Sequence, residues 1–203
     1  APAPVKAPLD AEIAALAEPR ERYAARTGRL KLLVLGGSQG AKALNELVPQ
    51  ALARLPAEQR PELTHQSGAK HIEALRAAYA AAGVPAKTVA FIDDIAQCYG
   101  EADVVVCRAG ALTVAELASA GVASILVPFP HAVDDHQTTN AKFLSARDAA
   151  ILLPQSELSA QRLAELLSGL TRERLLEMAE KARALGKPDA TEAVAQACME
   201  LAQ

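Results

Sequence analysis

The sequence predicts an α/β fold, a doubly wound, Rossmann-like domain on a parallel sheet of six strands. Two observations carry this. Six short apolar runs alternate with helical patterns, the order of a parallel sheet covered on both faces. The runs are also nearly continuous in apolar character, as in Leu32-Leu33-Val34-Leu35 and Val104-Val105-Val106-Cys107, which suits strands buried on both sides.

Residues 1–9 contain Pro2, Pro4 and Pro8, which remove backbone donors and favour extended chain, so a leader or interdomain linker is expected there. The domain proper is expected over 10–203. It starts with a short helix over 10–26 that Asp10 can cap. The first strand, 32–35, ends in Gly36-Gly37 and leads to a helix near 41–55. A weaker strand at 62–66 precedes a helix near 69–82. Strands follow at 88–92, 103–107, 123–127 and 149–153, with helices near 113–120 and 135–146. Helical patterns at 159–168, 171–186 and 190–202 close the chain.

Composition excludes several classes. With 51% hydrophobic and 22% charged residues over 203 positions, intrinsic disorder is ruled out. Three Phe, three Tyr and no Trp give no stacking platform for single-stranded nucleic acid. A net charge of −3 gives no basic field, so no nucleic-acid partner is expected. Cys98, Cys107 and Cys198 form no CxxC pair and are odd in number, which points away from a disulfide framework or zinc site and towards a reducing cytoplasm. No apolar run reaches the ~18 residues of a membrane helix. The chain begins at Ala1, so it is expected to be a piece of something longer.

In a doubly wound sheet, ligands bind at the carboxyl ends of the strands. Four loops there attract attention. Gly36-Gly37-Ser38-Gln39-Gly40-Ala41 opens a helix, and its glycines let a phosphate approach the backbone. It fails as a dinucleotide fingerprint, which needs Gly at 38 and 41, and as a Walker A loop, which needs Gly-Lys-Ser/Thr at 41–43. A tight turn without ligand is the equal alternative. Phe91-Ile92-Asp93-Asp94-Ile95 either covers a flat base or is a core residue followed by a capped helix. In Cys107 to Glu116, amides 111–113 can hold an anion and Glu116 can accept two ribose hydroxyls. Thr113-x-x-Glu116 also reads as a capping box, which alone explains both residues. Finally, Pro128 to Asn140 is long and polar. Its His131, Asp134, Asp135 and His136 match no standard zinc spacing, so no metal is expected.

Taken together, these stretches resemble one family. Gly-Gly-Ser-Gln-Gly-Ala (36–41), His-Gln-Ser-Gly (65–68), Phe-Ile-Asp-Asp (91–94), the run 102–116, Val-Pro-Phe-Pro-His (127–131), Asp-His-Gln-Thr-Thr-Asn-Ala (135–141) and Pro-Asp-Ala-Thr (188–191) are similar to the C-terminal, donor-binding domain of the MurG family, glycosyltransferase family 28. The resemblance implies one half of a glycosyltransferase-B fold. It implies UDP-N-acetylglucosamine as donor and, through a preceding acceptor domain, lipid I (undecaprenyl-diphosphate-muramyl-pentapeptide) as acceptor. The product would be lipid II, formed with inversion and without metal or cofactor. The full enzyme would sit peripherally on the cytoplasmic face of the inner membrane. The resemblance places Gly37, Ser38 and Gln39 at the diphosphate, Ile92 at the uracil edge, and Ala111, Leu112 and Thr113 in the phosphate cradle. Glu116 would hold the ribose hydroxyls, and His136, Gln137 and Asn140 would read the sugar. It places no catalytic residue in this chain, so the chain alone is expected to be inactive. A subunit of a split transferase and a non-catalytic nucleotide-binding module are the alternatives.

Overall fold

The computed structural model describes residues 11–36, 41–130 and 135–186. Six strands, β1 (Lys31–Leu35), β2 (Glu62–Gln66), β3 (Lys87–Val89), β4 (Val104–Cys107), β5 (Ala123–Leu126) and β6 (Ala150–Leu152), form one sheet in the order β3-β2-β1-β4-β5-β6. Every pairing is parallel; Leu35 stands opposite both Gln66 and Cys107. The order reverses between β1 and β4, where the carboxyl ends of two strands open a crevice.

Alternate strand residues serve opposite layers. Leu32, Val34, Val104, Val106 and Ile125 pack with α3 (Lys42–Ala53), α4 (Ile72–Ala82) and α8 (Ala160–Ser168). Leu33, Val105, Cys107 and Leu126 pack with α1 (Ala11–Ala14), α5 (Ile95–Glu101), α6 (Ala111–Ala120) and α7 (His136–Ser145). Both faces are therefore covered at the centre of the sheet, which is why β1, β4 and β5 read as nearly unbroken apolar runs.

The helix ends follow local chemistry. Asp94, Ser159 and Thr171 accept the amides of Gln97, Arg162 and Arg174, starting α5, α8 and α9 (Arg172–Leu185). Gly121 ends α6 in the left-handed region at φ 59°, where a Cβ would stand 2.8 Å from Arg183 and Pro19.

Several expectations need correction. The helix expected over 10–26 is two pieces, α1 and α2 (Pro19–Ala24), because Pro19 forces Glu18 into an extended conformation (ψ 145°). The third strand stops at Val89 rather than residue 92, and Phe91 is 68% exposed. Helix α6 starts at Ala111, two residues earlier than expected, with Gly110 as its N-cap. Asp10, Cys198 and the helix expected over 190–202 lie outside the described residues.

Arginines lock the amino-terminal pieces to the sheet. Arg22 donates to the carbonyls of Tyr99, Gly100, Ala120 and Gly121, where a cation suits the negative ends of α5 and α6. Asp103 is fully buried and accepts from Arg26, Arg172 and the Lys31 amide.

Candidate functional site

At the β1/β4 crevice lies a cavity of about 420 Å³. The ends of β1, β2 and β4 floor it with Leu35, Gly36, Gln66, Cys107 and Arg108. The chain after β3 supplies Phe91, Ile92 and Asp93. Tyr99 reaches it from α5, and Thr113 and Glu116 from α6. A second cavity, about 550 Å³, is bounded by the start of α3 (Ala41, Lys42, Ala43), by Phe129, Gln137 and Gln155, and again by Arg108. A third depression of about 350 Å³ sits at the opposite end of the sheet, where the strands begin at Lys31, Glu62 and Lys87. Ligands of doubly wound sheets bind at the carboxyl end, so the first two carry the functional reading.

Gly36 makes the turn out of β1 possible. Its amide donates to the Gln66 carbonyl at 2.8 Å, and a Cβ there would come within 2.8 Å of that oxygen and 3.2 Å of the Ala41 nitrogen. Gly36 thus lies close against both the end of β2 and the approach to α3. Gly37, Ser38 and Gln39 lie outside the described residues, as do His131 and Asp134.

The entry to α6 faces the cavity. The first helical bond there runs from the Val114 amide to the Gly110 carbonyl, so the amides of Ala111, Leu112 and Thr113 precede the ladder at a positive helix end. This overturns the capping-box reading. Thr113 lies inside the helix as its third residue, and Gly110 caps it without a side-chain bond. Glu116, in the second turn, accepts a hydrogen bond from the Tyr99 hydroxyl at Oε2, 3.0 Å away. Burial raises the Tyr99 phenol well above its ordinary range, and the neighbouring Glu116 charge adds to this. Burial likewise pushes the Cys107 thiol up to about 12, with Glu116 contributing, so Cys107 is an inert thiol.

Of the paired readings for 91–95, the structure bears out the capped helix but not a core residue at Phe91. Asp94 caps α5, while Ile92 is half-buried at the cavity wall and Phe91 stands out at its rim. Leu112, in the first turn of α6, is 53% exposed.

Helix α7 connects the loops. The Gln137 Oε1 accepts from the amides of Ala109 (3.3 Å) and Phe129 (2.9 Å), and the Asn140 amide donates to the Ala109 carbonyl at 3.1 Å. Gln137 thus ties the turn after β4 to the turn after β5 and borders the second cavity, while Asn140 holds α7 to the turn after β4. His136 is exposed at the start of α7, next to Asp135 in the left-handed region at φ 51°. Arg108 donates to the carbonyls of Val127 and Pro128 and lies 5.4 Å over the Phe129 ring, so it is built into the wall between the cavities. Burial lowers its pKa. Among the described residues, no group of three His, Cys, Asp or Glu side chains is arranged to hold a metal ion. Among them also, no helix is long and apolar enough to cross a membrane.

Two residues at the site were not legible from the motifs. Tyr99 looks in sequence like any apolar-face residue of a short helix; only the fold brings it to Glu116. Asn45, in α3, accepts from the buried His65 at 3.0 Å, and its Oδ1 would lie 3.5 Å from a Cβ on Gly36. Nothing in its local pattern separates it from a surface asparagine.

The glycosyltransferase family 28 C-terminal domain model matches residues 31–194. The UDP-N-acetylglucosamine–N-acetylmuramyl-(pentapeptide) pyrophosphoryl-undecaprenol N-acetylglucosamine transferase of Nitrosospira multiformis is 62% identical over 96% of this chain and 54% of its own length. The transferase of the same name from Aromatoleum aromaticum is 65% identical over 96% of this chain and 55% of its own. The crystal structure of Acinetobacter baumannii MurG superposes with a TM-score of 0.87 at 43% identity, over 93% of this chain and 55% of that one. WaaG, a glycosyltransferase of lipopolysaccharide biosynthesis, shares the fold alone, with a TM-score of 0.59 at 20% identity over 82% of this chain and 45% of that one. The chain spans about half the length of the curated relatives it matches. With its six parallel strands, its crevice between β1 and β4 and these relatives, it is one Rossmann-like half of a glycosyltransferase-B fold and belongs to the glycosyltransferase family 28 C-terminal domain family.

Proposed function

We propose that this chain is the donor-binding half of an inverting glycosyltransferase, one that moves N-acetylglucosamine from UDP-N-acetylglucosamine to undecaprenyl-diphosphate-muramyl-pentapeptide. The observation that carries the reading is the 420 Å³ crevice between β1 and β4, with the α6 amino terminus and Glu116 turned to it. The activity for which relatives about 60% identical are named supplies the substrates.

In this reading uracil lies against Ile92 and its backbone, and Glu116 accepts the ribose hydroxyls. The diphosphate rests over the amides of Ala111, Leu112 and Thr113 and against Gly37, Ser38 and Gln39. The sugar extends towards the second cavity, which Gln137 borders, and Gln137, His136 and Asn140 of α7 read its hydroxyls. Transfer breaks the bond between the sugar carbon and the β-phosphate oxygen, so negative charge grows on the departing UDP. Amides fixed at a helix end stabilise that charge without having to reorganise. No metal or cofactor is required for this.

The acceptor, the general base and the membrane contact belong to the other half of the glycosyltransferase-B pair. The whole enzyme would then work as a peripheral protein on the cytoplasmic side of the membrane. This chain alone binds donor and transfers nothing.

Calorimetric titration tests the reading. UDP and UDP-N-acetylglucosamine should bind, and ATP and NAD should bind far more weakly. Equal affinity for ATP or NAD, or no heat with saturating UDP, overturns it. Transfer on adding an acceptor half as a separate chain would identify a split enzyme. UDP binding with no transfer under those conditions would leave a nucleotide-binding module.

A further inference from the structure

Tyr99 is 1% exposed and is held in the layer that also contains Leu33, Val105, Cys107 and Leu117. Its hydroxyl nevertheless emerges at the cavity wall and donates to Glu116 Oε2 at 3.0 Å. The two residues come from different helices, α5 and α6, each starting at the carboxyl end of a strand. We propose that Tyr99 is a positioning residue for nucleotide recognition: it holds the Glu116 carboxylate in the orientation that takes up the cis-diol of a ribose. The proposal rests on the reading that Glu116 binds ribose.

Three features support it. A phenol packed on all sides cannot follow a moving partner, so the bond fixes the carboxylate rather than the reverse. Burial keeps the phenol protonated at neutral pH, so it donates. A carboxylate offers about four acceptor directions, so one bond to Tyr99 is compatible with two to a diol. A Glu side chain loses rotamer freedom when it binds, and a partner that removes this freedom beforehand leaves less to be lost on ligand arrival.

The test is a titration of this chain with UDP and with 2′,3′-dideoxy-UDP, which lacks both ribose hydroxyls. Wild type should prefer UDP. Tyr99→Phe, which keeps the ring, should weaken UDP about tenfold, the usual scale of a hydrogen bond to a charged group. It should leave dideoxy-UDP unchanged. In a Glu116→Ala background, Tyr99→Phe should weaken UDP no further. A loss shared equally by both ligands would make Tyr99 a packing residue and overturn the proposal, as would no loss for UDP. If Glu116→Ala leaves the preference for UDP intact, the ribose reading itself fails and the proposal with it. If Glu116→Ala removes the preference and Tyr99→Phe does not diminish it, only the proposal fails. Should Tyr99→Phe unfold the chain, Glu116→Asp serves instead. Its shortened carboxylate cannot reach both partners and should lose UDP preference, and full retention of that preference would overturn the proposal.

Discussion

His65 is a buried histidine whose ring meets two neutral side chains. Its Nδ1 lies 2.7 Å from the Tyr79 hydroxyl and its Nε2 lies 3.0 Å from Asn45 Oδ1, so the neutral ring donates to Asn45 and accepts from Tyr79. Burial lowers its pKa from 6.5 to about 3. The folded protein therefore refuses a proton that the unfolded chain takes up. A depressed folded-state pKa gives stability that is full above pH 6.5 and lost as pH falls towards 3. The loss is about 1.4 kcal/mol per pH unit in that window, or about 2 kcal/mol between pH 7.5 and pH 5. His65→Gln removes the titration while keeping some hydrogen-bonding capacity. It should cost about 1–3 kcal/mol at pH 7.5, because Tyr79 and Asn45 lose fitted partners. Its stability should then fall by about 2 kcal/mol less than wild type's on going to pH 5. Urea unfolding of both proteins at the two pH values measures this difference directly. Equal pH dependence in wild type and variant would refute the reasoning.

Three further outcomes are expected. Glu116→Ala should weaken UDP and UDP-N-acetylglucosamine by at least about tenfold in calorimetry, since a charge-assisted bond to ligand is worth about 1.5–3 kcal/mol, and should lower the melting temperature modestly because the buried Tyr99 hydroxyl loses its acceptor. Gly36→Ala should lower both donor affinity and thermal stability, because its Cβ meets the Gln66 carbonyl at 2.8 Å; wild-type behaviour would show that the β1–α3 turn tolerates a shift. Asp103→Ala leaves Arg26 and Arg172 with no carboxylate at a buried site and should cost about 3–5 kcal/mol in urea unfolding.

The centre of the sheet was legible because β1, β4 and β5 are buried over nearly all their length and so read as apolar runs. The edges were less so. Strand β3 lies at the edge and pairs only over Lys87–Val89, so the apolar 90–92 continuation looked like strand while serving as cavity wall. Pro19 carried the information that splits the first helix, but Ala-rich flanks on both sides masked it. The Thr113-x-x-Glu116 pattern misled for a physical reason. Gly110, without a side chain, already holds the N-cap position in extended geometry, which leaves Thr113 for the helix and Glu116 for the cavity. Ile92, Thr113 and Glu116, which line the crevice, lie in stretches that the motifs singled out. Tyr99 and the His65–Asn45–Tyr79 group were not legible in this way, because what makes them matter is contact across 14 to 20 positions.

A crystal structure of this chain with UDP-N-acetylglucosamine tests the donor-half reading most directly. It should show uracil at Ile92, ribose hydroxyls on Glu116 and the diphosphate over the amides of Ala111 to Thr113. Nucleotide at the Lys31–Glu62–Lys87 end of the sheet, or in the β1/β4 crevice with its ribose away from Glu116, would contradict it.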